Sequence, residues 1–299
     1  MYTQFFGNFL LANNYVDKDQ LFQAICSQKD VKYKLATLCI YEGLLAAQEV
    51  LETVEYAKEN QVDFSEAAVA LGLVTEEELL PLTQKPGSDY LLLAQALVEN
   101  GIFNYDQIQD IIVEYRSYNE IYDLSITDDV AETVQNLYRK FFVTNGGGAT
   151  TNGKMYMELL FNNFIRLIGD DFVPVSIDRI DEYATGLCSL QRIEGIYSLN
   201  TYLDMDEATA KAFAVRYIGE GIELDHEYVM AALNDFINLH NGLFTVNVSN
   251  ENSYNLILSP LEELCNQGLE FSHPTYKISI LYPFGMVHVL LEVVQELPD

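Results

Sequence analysis

The sequence predicts an α+β protein with two domains: an all-α domain over residues 1–117 and a mixed domain with an antiparallel sheet over residues 118–299. The first domain is indicated by an apolar and glycine pattern that returns every 29 positions. The second is indicated by helical apolar spacing that alternates with β-branched and aromatic runs bounded by Asn, Gly and Pro. A length of 299 residues suits two domains that each bury a core.

The N-terminal period is carried by four turn residues: Asn14, Gly43, Gly72 and Gly101. Gly and Asn readily adopt the left-handed conformation that ends a helix. Each unit is therefore predicted to be a helix, a short turn and a second helix. Four such pairs bury their apolar faces against one another as a helical repeat array. The turns at Asn14, Gly72 and Gly101 are followed by residues that are typical N-caps of the next helix. These N-caps are Asp17, Thr75 and Asn104.

The C-terminal domain is predicted to follow a linker at residues 117–127. Helices are expected over 128–144, 154–169, 206–219 and 226–241. Strands are expected over 172–177, 188–203 with a break near Gly195, 243–248, 254–258, 276–281 and 286–294. The Asn241-Gly242 pair is predicted to stop the helix before it. The glycine-rich segment 145–153 lacks the Lys of a phosphate-binding loop and is predicted to be a flexible loop.

The net charge of −29 restricts the classes of partner. Residues 1–117 hold 18 acidic and 7 basic side chains, and residues 118–299 hold 27 and 9, so both domains are acidic. Such a field repels nucleic acid, anionic lipid and free anionic substrates. A protein partner with compensating positive charge suits it better. No apolar run is long enough to span a bilayer and the N-terminus has no signal-peptide layout, so a cytoplasmic location without membrane insertion is expected.

Metal chemistry is not indicated. The four histidines show no ligand spacing, and the four cysteines form no CxxC pair and lie in apolar contexts, which predicts buried reduced thiols. The cysteines are Cys26, Cys39, Cys188 and Cys265.

The predicted helix 226–241 carries the candidate site, Asp235 and Asn238. Three positions apart, the two side chains share one face of a helix. The buried stripe is expected to comprise Val229, Leu233, Phe236, Ile237 and His240, and the outward side Glu227, Ala231, Asn234, Asp235, Asn238 and Asn241. A carboxylate beside a carboxamide on a rigid surface can dock a cation and orient a water. From the helix alone, ordinary solvated polar residues are the favoured interpretation.

A longer spacing favours the functional interpretation. Pro260 lies 22 positions after Asn238. The pattern of an acidic residue, any two residues, Asn, any 21 residues and then Pro resembles the signature of the CheC/CheX/FliY chemotaxis phosphatases. The resemblance covers roughly residues 119–299. It includes Leu203–Gly219 as the helix after a strand hairpin, and Leu256–Pro260 as the strand that ends at the signature Pro. It is closest to CheX, because one copy of the motif is found; Glu158 on the other family-like helix is followed by Phe161 where a second Asn would fall.

The resemblance implies a function. In that family a Glu and an Asn remove phosphate from the aspartyl-phosphate of a CheY-type response regulator, so Asp235 and Asn238 take the catalytic roles. The partner is then a phosphorylated receiver that holds its own Mg²⁺, no cofactor belongs to this chain, and a homodimer through the C-terminal domain is expected. The family Glu is Asp235 here, and Ala231 stands where the family usually has Asp or Ser. A non-catalytic receiver-binding scaffold with a degenerate site is therefore the alternative.

The N-terminal units are similar to the N-terminal domains of type II secretion and pilus ATPases, some of which bind cyclic di-GMP. That binding version opens each unit with Arg-Leu-Gly. The corresponding triplets here begin at Phe5, Lys34, Asp63 and Leu92 and contain no Arg. The missing guanidinium disfavours a nucleotide site and favours a helical adaptor or spacer.

Overall fold

The computed structural model describes residues 3–84, 89–121, 151–219, 225–252 and 254–295. The chain divides into two compact units, Met1–Ile126 and Thr127–Asp299, which we call the N-terminal and C-terminal units. The predicted helix at 128–144 and residues 145–150 of the predicted loop lie outside the described residues. For residues 151–153 the loop prediction is wrong, because they begin a helix. No helix in the described ranges is long and apolar enough to cross a membrane.

The described part of the N-terminal unit consists of helices that follow one another in pairs. They are α1 (Thr3–Ala12), α2 (Lys18–Ser27), α3 (Ala36–Tyr41), α4 (Ala47–Asn60), α5 (Phe64–Ala70), α6 (Glu76–Gln84), α7 (Asp89–Glu99) and α8 (Tyr105–Ile121), with a 3₁₀ turn at Gln28–Asp30. The turn inside each pair contains Asn14, Gly43, Gly72 or Gly101, with φ of 57°, 70°, 70° and 72°. A left-handed residue thus recurs every 29 positions, where Gly and Asn are tolerated.

The three N-caps predicted in this unit are confirmed. Asp17 Oδ1 accepts a hydrogen bond from the backbone N of Gln20 at 2.8 Å. Thr75 and Asn104 accept equivalent bonds from Glu78 and Gln107. Helix α7 packs against α1, α2 and α3, so the fourth pair contacts the first two. Helix α8 continues to Ile121, through the first residues of the predicted linker.

The C-terminal unit is built on one antiparallel sheet. Its described elements are α9 (Thr151–Leu167), β1 (Val173–Ala184), β2 (Leu187–Glu194), β3 (Ser198–Met205), α10 (Glu207–Ile218), α11 (His226–Asn252), β4 (Ile257–Leu258), β5 (Glu262–Cys265), β6 (Gly268–Tyr282) and β7 (Gly285–Gln295). The strand order is β1-β6-β7-β3-β2-β4, and β5 also pairs with β2. Helix α11 packs on β2 and β3, with α9 and α10 against it. The predicted α+β fold with an antiparallel sheet is thus confirmed.

Aromatic side chains fill the space between the helices and the sheet. Phe164 and Phe236 stack with ring centroids 5.1 Å apart, and Phe213 meets Phe236 edge-on at 5.3 Å. Phe172 and Tyr282 extend this cluster towards the sheet. All five side chains are fully buried. Helix α11 is therefore fixed in position by its apolar face, which leaves its opposite face as a rigid surface.

The predicted helix stop at Asn241-Gly242 and the predicted strand 243–248 are wrong, because α11 runs on to Asn252. Phe244 and Val248 are fully buried and continue the apolar stripe of the helix into the core. Asn241 is also fully buried, which contradicts its predicted outward position. Its amide bonds to side chains of β2 and α9 instead of ending the helix. Core packing here outweighs the local preference of an Asn-Gly pair.

Several strand bounds differ from prediction. Strands β1 and β6 are longer than expected, β4 is reduced to two residues, and β5 was not predicted. The break near Gly195 is confirmed; its φ is 146°, and a Cβ there would lie 2.9 Å from the Asn255 carbonyl oxygen. Strands β6 and β7 each have a neighbouring strand on both sides, so neither is an edge of the sheet. Self-association of the C-terminal domain stays a prediction.

The predicted burial of the cysteines is correct for Cys39 and Cys188 only. Cys26 is exposed and Cys265 is partly exposed. Cys26 lies on α2 next to Ile25, which is buried, so the apolar neighbour rather than the thiol faces the core.

Candidate functional site

The candidate site lies on the face of α11 that points away from the core. The five residues predicted for the buried stripe are buried, each with at most 1% of its surface exposed. Asp235 and Asn238 are exposed, as are Glu227 and Ala231. The periodicity of the helix thus places the two candidate side chains next to each other on an exposed face, while the helix beneath them is held by the core.

Asp235 is held by the neighbouring helix. The Tyr217 hydroxyl of α10 donates a hydrogen bond of 2.7 Å to Asp235 Oδ2. Burial, together with this bond and the charge of Asp235, raises the pKa of Tyr217 far above its ordinary value, so the phenol stays a donor. The Tyr217 ring packs edge-on against Phe236, with centroids 5.9 Å apart. One carboxylate oxygen is therefore fixed, and no hydrogen bond to Oδ1 is found in the described ranges.

Asn238 is held by the sheet. Gln191 Nε2, on β2, donates a hydrogen bond of 2.9 Å to Asn238 Oδ1. Gln191 is 2% exposed and faces α11. Among the described residues, none bonds to Asn238 Nδ2. The amide is thus anchored through its oxygen, and its NH₂ group is available at the surface.

Pro260 is joined to Asn238 through the same glutamine. Gln191 Nε2 also donates to the backbone carbonyl of Ser259, at 3.2 Å. Ser259 is fixed to β2 by two further bonds, since its N donates to the Arg192 carbonyl at 2.9 Å and its Oγ accepts from Arg192 N at 3.0 Å. The exposed Pro260 therefore follows a segment that is tied to the site, although 22 positions of sequence separate it from Asn238.

A second polar group lies one turn before Asn238. Ser189 Oγ donates to Asn234 Oδ1 at 2.6 Å, and Asn234 Nδ2 donates to Glu263 Oε1 at 2.8 Å. Glu262 precedes Glu263 on β5 and forms an ion pair with Arg192 of β2. This ion pair lowers the pKa of the Glu262 carboxyl. Asp235 and Glu263 thus place two carboxylates at the site or beside it, a sign that suits a cationic group on a partner.

Sequence reasoning missed Gln191 and Tyr217. Ser189, Gln191 and Ile193 alternate along β2 on the side of α11, and all three are buried. A polar side chain at a buried strand position requires a hydrogen-bonding partner. The alternation of residues along β2 could therefore have identified Gln191 as a residue that binds a polar group on α11. Tyr217 had none, because an aromatic residue near the end of an amphipathic helix is ordinarily a packing residue.

Helix α9, which carries Glu158, has no equivalent arrangement among its described side chains. Phe161, at the position where a second Asn would fall, is fully buried and stacks on Phe172 with an interplanar angle of 5°. Glu158 is half-buried, whereas Asp235 is exposed.

His240 lies on the buried side of α11. The Asn163 side-chain amide and His240 Nδ1 lie within hydrogen-bonding distance, at 3.1 Å. The ring packs edge-on against Tyr156, with centroids 4.4 Å apart. Burial lowers the pKa of His240 to about 3. The folded protein therefore keeps this imidazole neutral at pH values where an unfolded chain would bind a proton.

Acidification from pH 6.5 towards 3 is expected to destabilise the C-terminal unit, because His240 takes up a proton there only when the chain unfolds. Asp204 acts in the opposite direction: burial raises its pKa from 3.8 to about 6, so it favours the folded state as pH falls through that range. The variant His240→Gln cannot ionise. Denaturant unfolding across this pH range should show a weaker fall in its free energy of unfolding than in the wild type. Equal slopes would contradict the prediction.

No protein-family model matches this chain, and no curated protein matches it. Solved structures do resemble part of it. A chemotaxis protein CheX from Desulfovibrio desulfuricans is 12% identical, covers 48% of this chain and 99% of its own, and has a TM-score of 0.42. The chemotaxis protein CheX from Vibrio vulnificus is 13% identical, covers 48% of this chain and 99% of its own, and has a TM-score of 0.41. A chain of a CheX–CheY–BeF3–Mg²⁺ complex from Borrelia burgdorferi is 15% identical, covers 47% of this chain and 96% of its own, and has a TM-score of 0.38.

Proposed function

We propose that the C-terminal domain dephosphorylates the aspartyl-phosphate of a CheY-type response regulator in chemotaxis or two-component signalling. The supporting observation is the pairing of Asp235 and Asn238 on one exposed face, each fixed through one oxygen by a neighbouring element. Each side chain keeps a second polar atom for a partner. Positioning and electrostatics provide most of the catalysis in phosphoryl transfer, so a small preorganised site is chemically sufficient.

In the proposed reaction, Asp235 Oδ1 pairs with a Lys of the receiver and so fixes the receiver against α11. The Asn238 amide orients one water in line with the phosphorus. The water oxygen forms the new P–O bond as the bond between phosphorus and the receiver's carboxylate oxygen breaks. The electron pair of that bond stays on the carboxylate, and the water protons leave with inorganic phosphate or pass to solvent. Mg²⁺ belongs to the receiver and stabilises the charge on the phosphoryl oxygens.

The acidic character of the chain supports a protein substrate. A net charge of −29 opposes the approach of a small free phosphate ester. A receiver presents its phosphoryl group together with a metal ion and a Lys, so the local charges at the contact are complementary.

The alternative is a receiver-binding scaffold without catalysis. The shorter carboxylate of Asp235 and its bond to Tyr217 favour it, because both limit how far the carboxylate extends from the helix. The two functions differ in one measurement, the lifetime of a phosphorylated receiver with and without this protein. Binding with a shortened lifetime supports the phosphatase, and binding with an unchanged lifetime supports the scaffold.

The variant Asp235→Glu is expected to raise the rate of receiver dephosphorylation, because one more methylene brings the carboxylate closer to the partner's Lys. The variant Asp235→Ala should lower the rate about tenfold or more, as expected for loss of a charge-assisted hydrogen bond. Both substitutions are on an exposed helix surface and should change stability little. The measurement is phosphate release from a receiver that is shown to bind.

A matched control is Glu227→Ala, which removes one negative charge from the same face of α11. Eight positions separate it from Asp235, about 12 Å along a helix. It should leave the rate near that of the wild type. If Asp235→Glu and Asp235→Ala both leave the phosphate lifetime unchanged, the enzyme hypothesis is wrong and the scaffold remains.

A further inference from the structure

Gln191 is a buried side chain that connects Asn238 on α11 with the segment that leads to Pro260. It contacts Asn238 on α11, the Ser259 carbonyl before Pro260, and the buried Asn241 one turn after Asn238. All three contacts are made by its terminal amide, and only 2% of the residue is exposed. A buried amide with its donors and its acceptor in use is held in one orientation.

The orientation of this amide follows from its partners. A backbone carbonyl can only accept, so the group that faces Ser259 must be the Gln191 NH₂. The Gln191 oxygen then faces Asn241, whose Nδ2 donates to it at 3.1 Å. In this arrangement Asn241 Oδ1 accepts a hydrogen bond from the Tyr156 hydroxyl at 3.3 Å. If the N and O atoms of the Gln191 amide were exchanged, the Gln191 oxygen would face the Ser259 carbonyl oxygen, and two acceptors would meet. The Gln191 NH₂ would then face Asn241 Nδ2, and two donors would meet.

The orientation of Asn238 follows in turn. The second donor of Gln191 points at Asn238, so Asn238 must turn its oxygen inward and its NH₂ outward. Because Asn238 is exposed, rotation of its amide would otherwise be unrestricted. The buried glutamine therefore decides which half of the exposed amide meets a partner.

We propose that Gln191 is a positioning residue that makes Asn238 a hydrogen-bond donor in the dephosphorylation reaction. The inference rests on the proposed function and specifies its chemistry. Asn238 Nδ2 donates to one lone pair of the attacking water, and the other lone pair faces the phosphorus. The same glutamine fixes Ser259, so the segment that leads to Pro260 and the amide of Asn238 are held as one unit.

The test uses the full-length variant Gln191→Glu, which has nearly the same shape. Burial raises the pKa of a carboxyl, so this variant is measured over a pH series. Above that pKa the ionised carboxylate has no donor, and Asn238 should rotate and turn its NH₂ inward. The dephosphorylation rate at saturating protein should fall about tenfold, the effect of one ordinary hydrogen bond in the transition state. Affinity for a receiver activated with BeF3 and Mg²⁺ should be unchanged. At acidic pH the Glu regains a proton to donate, so the rate of this variant relative to the wild type should recover.

A second readout does not depend on activity. The side-chain amide protons of Asn238, identified by their loss in Asn238→Ala, should exchange rapidly with solvent in the wild type. In Gln191→Glu one of them should exchange more slowly, because it bonds to the buried carboxylate. If Gln191→Glu fails to fold, Gln191→Met removes the donor without adding charge, and its rate should fall by a similar factor.

The outcomes separate the two hypotheses. An active wild type with a full rate in Gln191→Glu and Gln191→Met would overturn the positioning role, as would slow exchange of the Asn238 amide in the wild type. A wild type that binds the receiver without shortening its phosphate lifetime would overturn the proposed function instead. In that case the exchange data still decide whether Gln191 orients Asn238.

Discussion

Replacing Asn238 with alanine is expected to reduce receiver dephosphorylation about 100-fold, the usual effect of removing one preorganised polar group from a reaction centre. Asn238 is exposed, and within the described part of the chain its side chain makes one hydrogen bond, to Gln191. When that bond is lost, one Gln191 N–H still donates to the Ser259 carbonyl, and the other is opened to water because the removed side chain was exposed. Alanine also favours the helix. Folding and receiver binding should therefore persist while phosphate release is lost.

The control for this variant is Asn234→Ala, on the same helix and one turn earlier. Asn234 makes two side-chain hydrogen bonds, to Ser189 and Glu263, so its removal costs more structural bonding than removal of Asn238. It has no part in the proposed chemistry and should retain most of the rate. Equal losses in Asn234→Ala and Asn238→Ala would indicate a general disturbance of α11 and contradict the assigned role. Phosphate release and receiver affinity should be measured for both variants.

The sequence was informative where function depends on local geometry. Asp235 and Asn238 share a face because a helix brings residues three apart together, and the apolar stripe predicts which face is exposed. Gly43, Gly72 and Gly101 likewise have positive φ, a requirement that their spacing and residue type already indicated. In both cases the relevant contacts lie within a few positions of one another.

The sequence was less informative where long-range packing decides. The Asn241-Gly242 pair resembles a helix stop, yet Asn241 is drawn inward by bonds to Gln191 and Tyr156. Those partners are 50 and 85 positions away, so no local pattern reveals them. The position of β6 and β7 inside the sheet is similarly a property of strand order. Apolar runs identify strands but do not order them.

The face opposite the site gives the second large expected effect. Phe236 lies between Asp235 and Ile237 and is fully buried. Its ring contacts Phe164, Phe213 and Tyr217, with centroids 5.1, 5.3 and 5.9 Å away. These rings come from α9 and α10, so one side chain joins three helices. Phe236→Ala should lower the free energy of unfolding of the C-terminal unit by about 3–5 kcal/mol, the usual cost of a truncated core aromatic residue.

The measurement is denaturant unfolding of the full chain, with hydrogen exchange at the amides of α11 to assign the loss to this unit. Tyr228→Ala is the matched control, since Tyr228 is an aromatic residue on the same helix but 53% exposed. It should cost less than about 1 kcal/mol. Equal losses in the two variants would show that Phe236 does not anchor the helix. A loss specific to Phe236→Ala, accompanied by a fall in receiver dephosphorylation at concentrations where the variant is still folded, would link the rigidity of α11 to the site. Tyr217 packs on Phe236 and also donates to Asp235, so a cavity at position 236 should displace the candidate carboxylate.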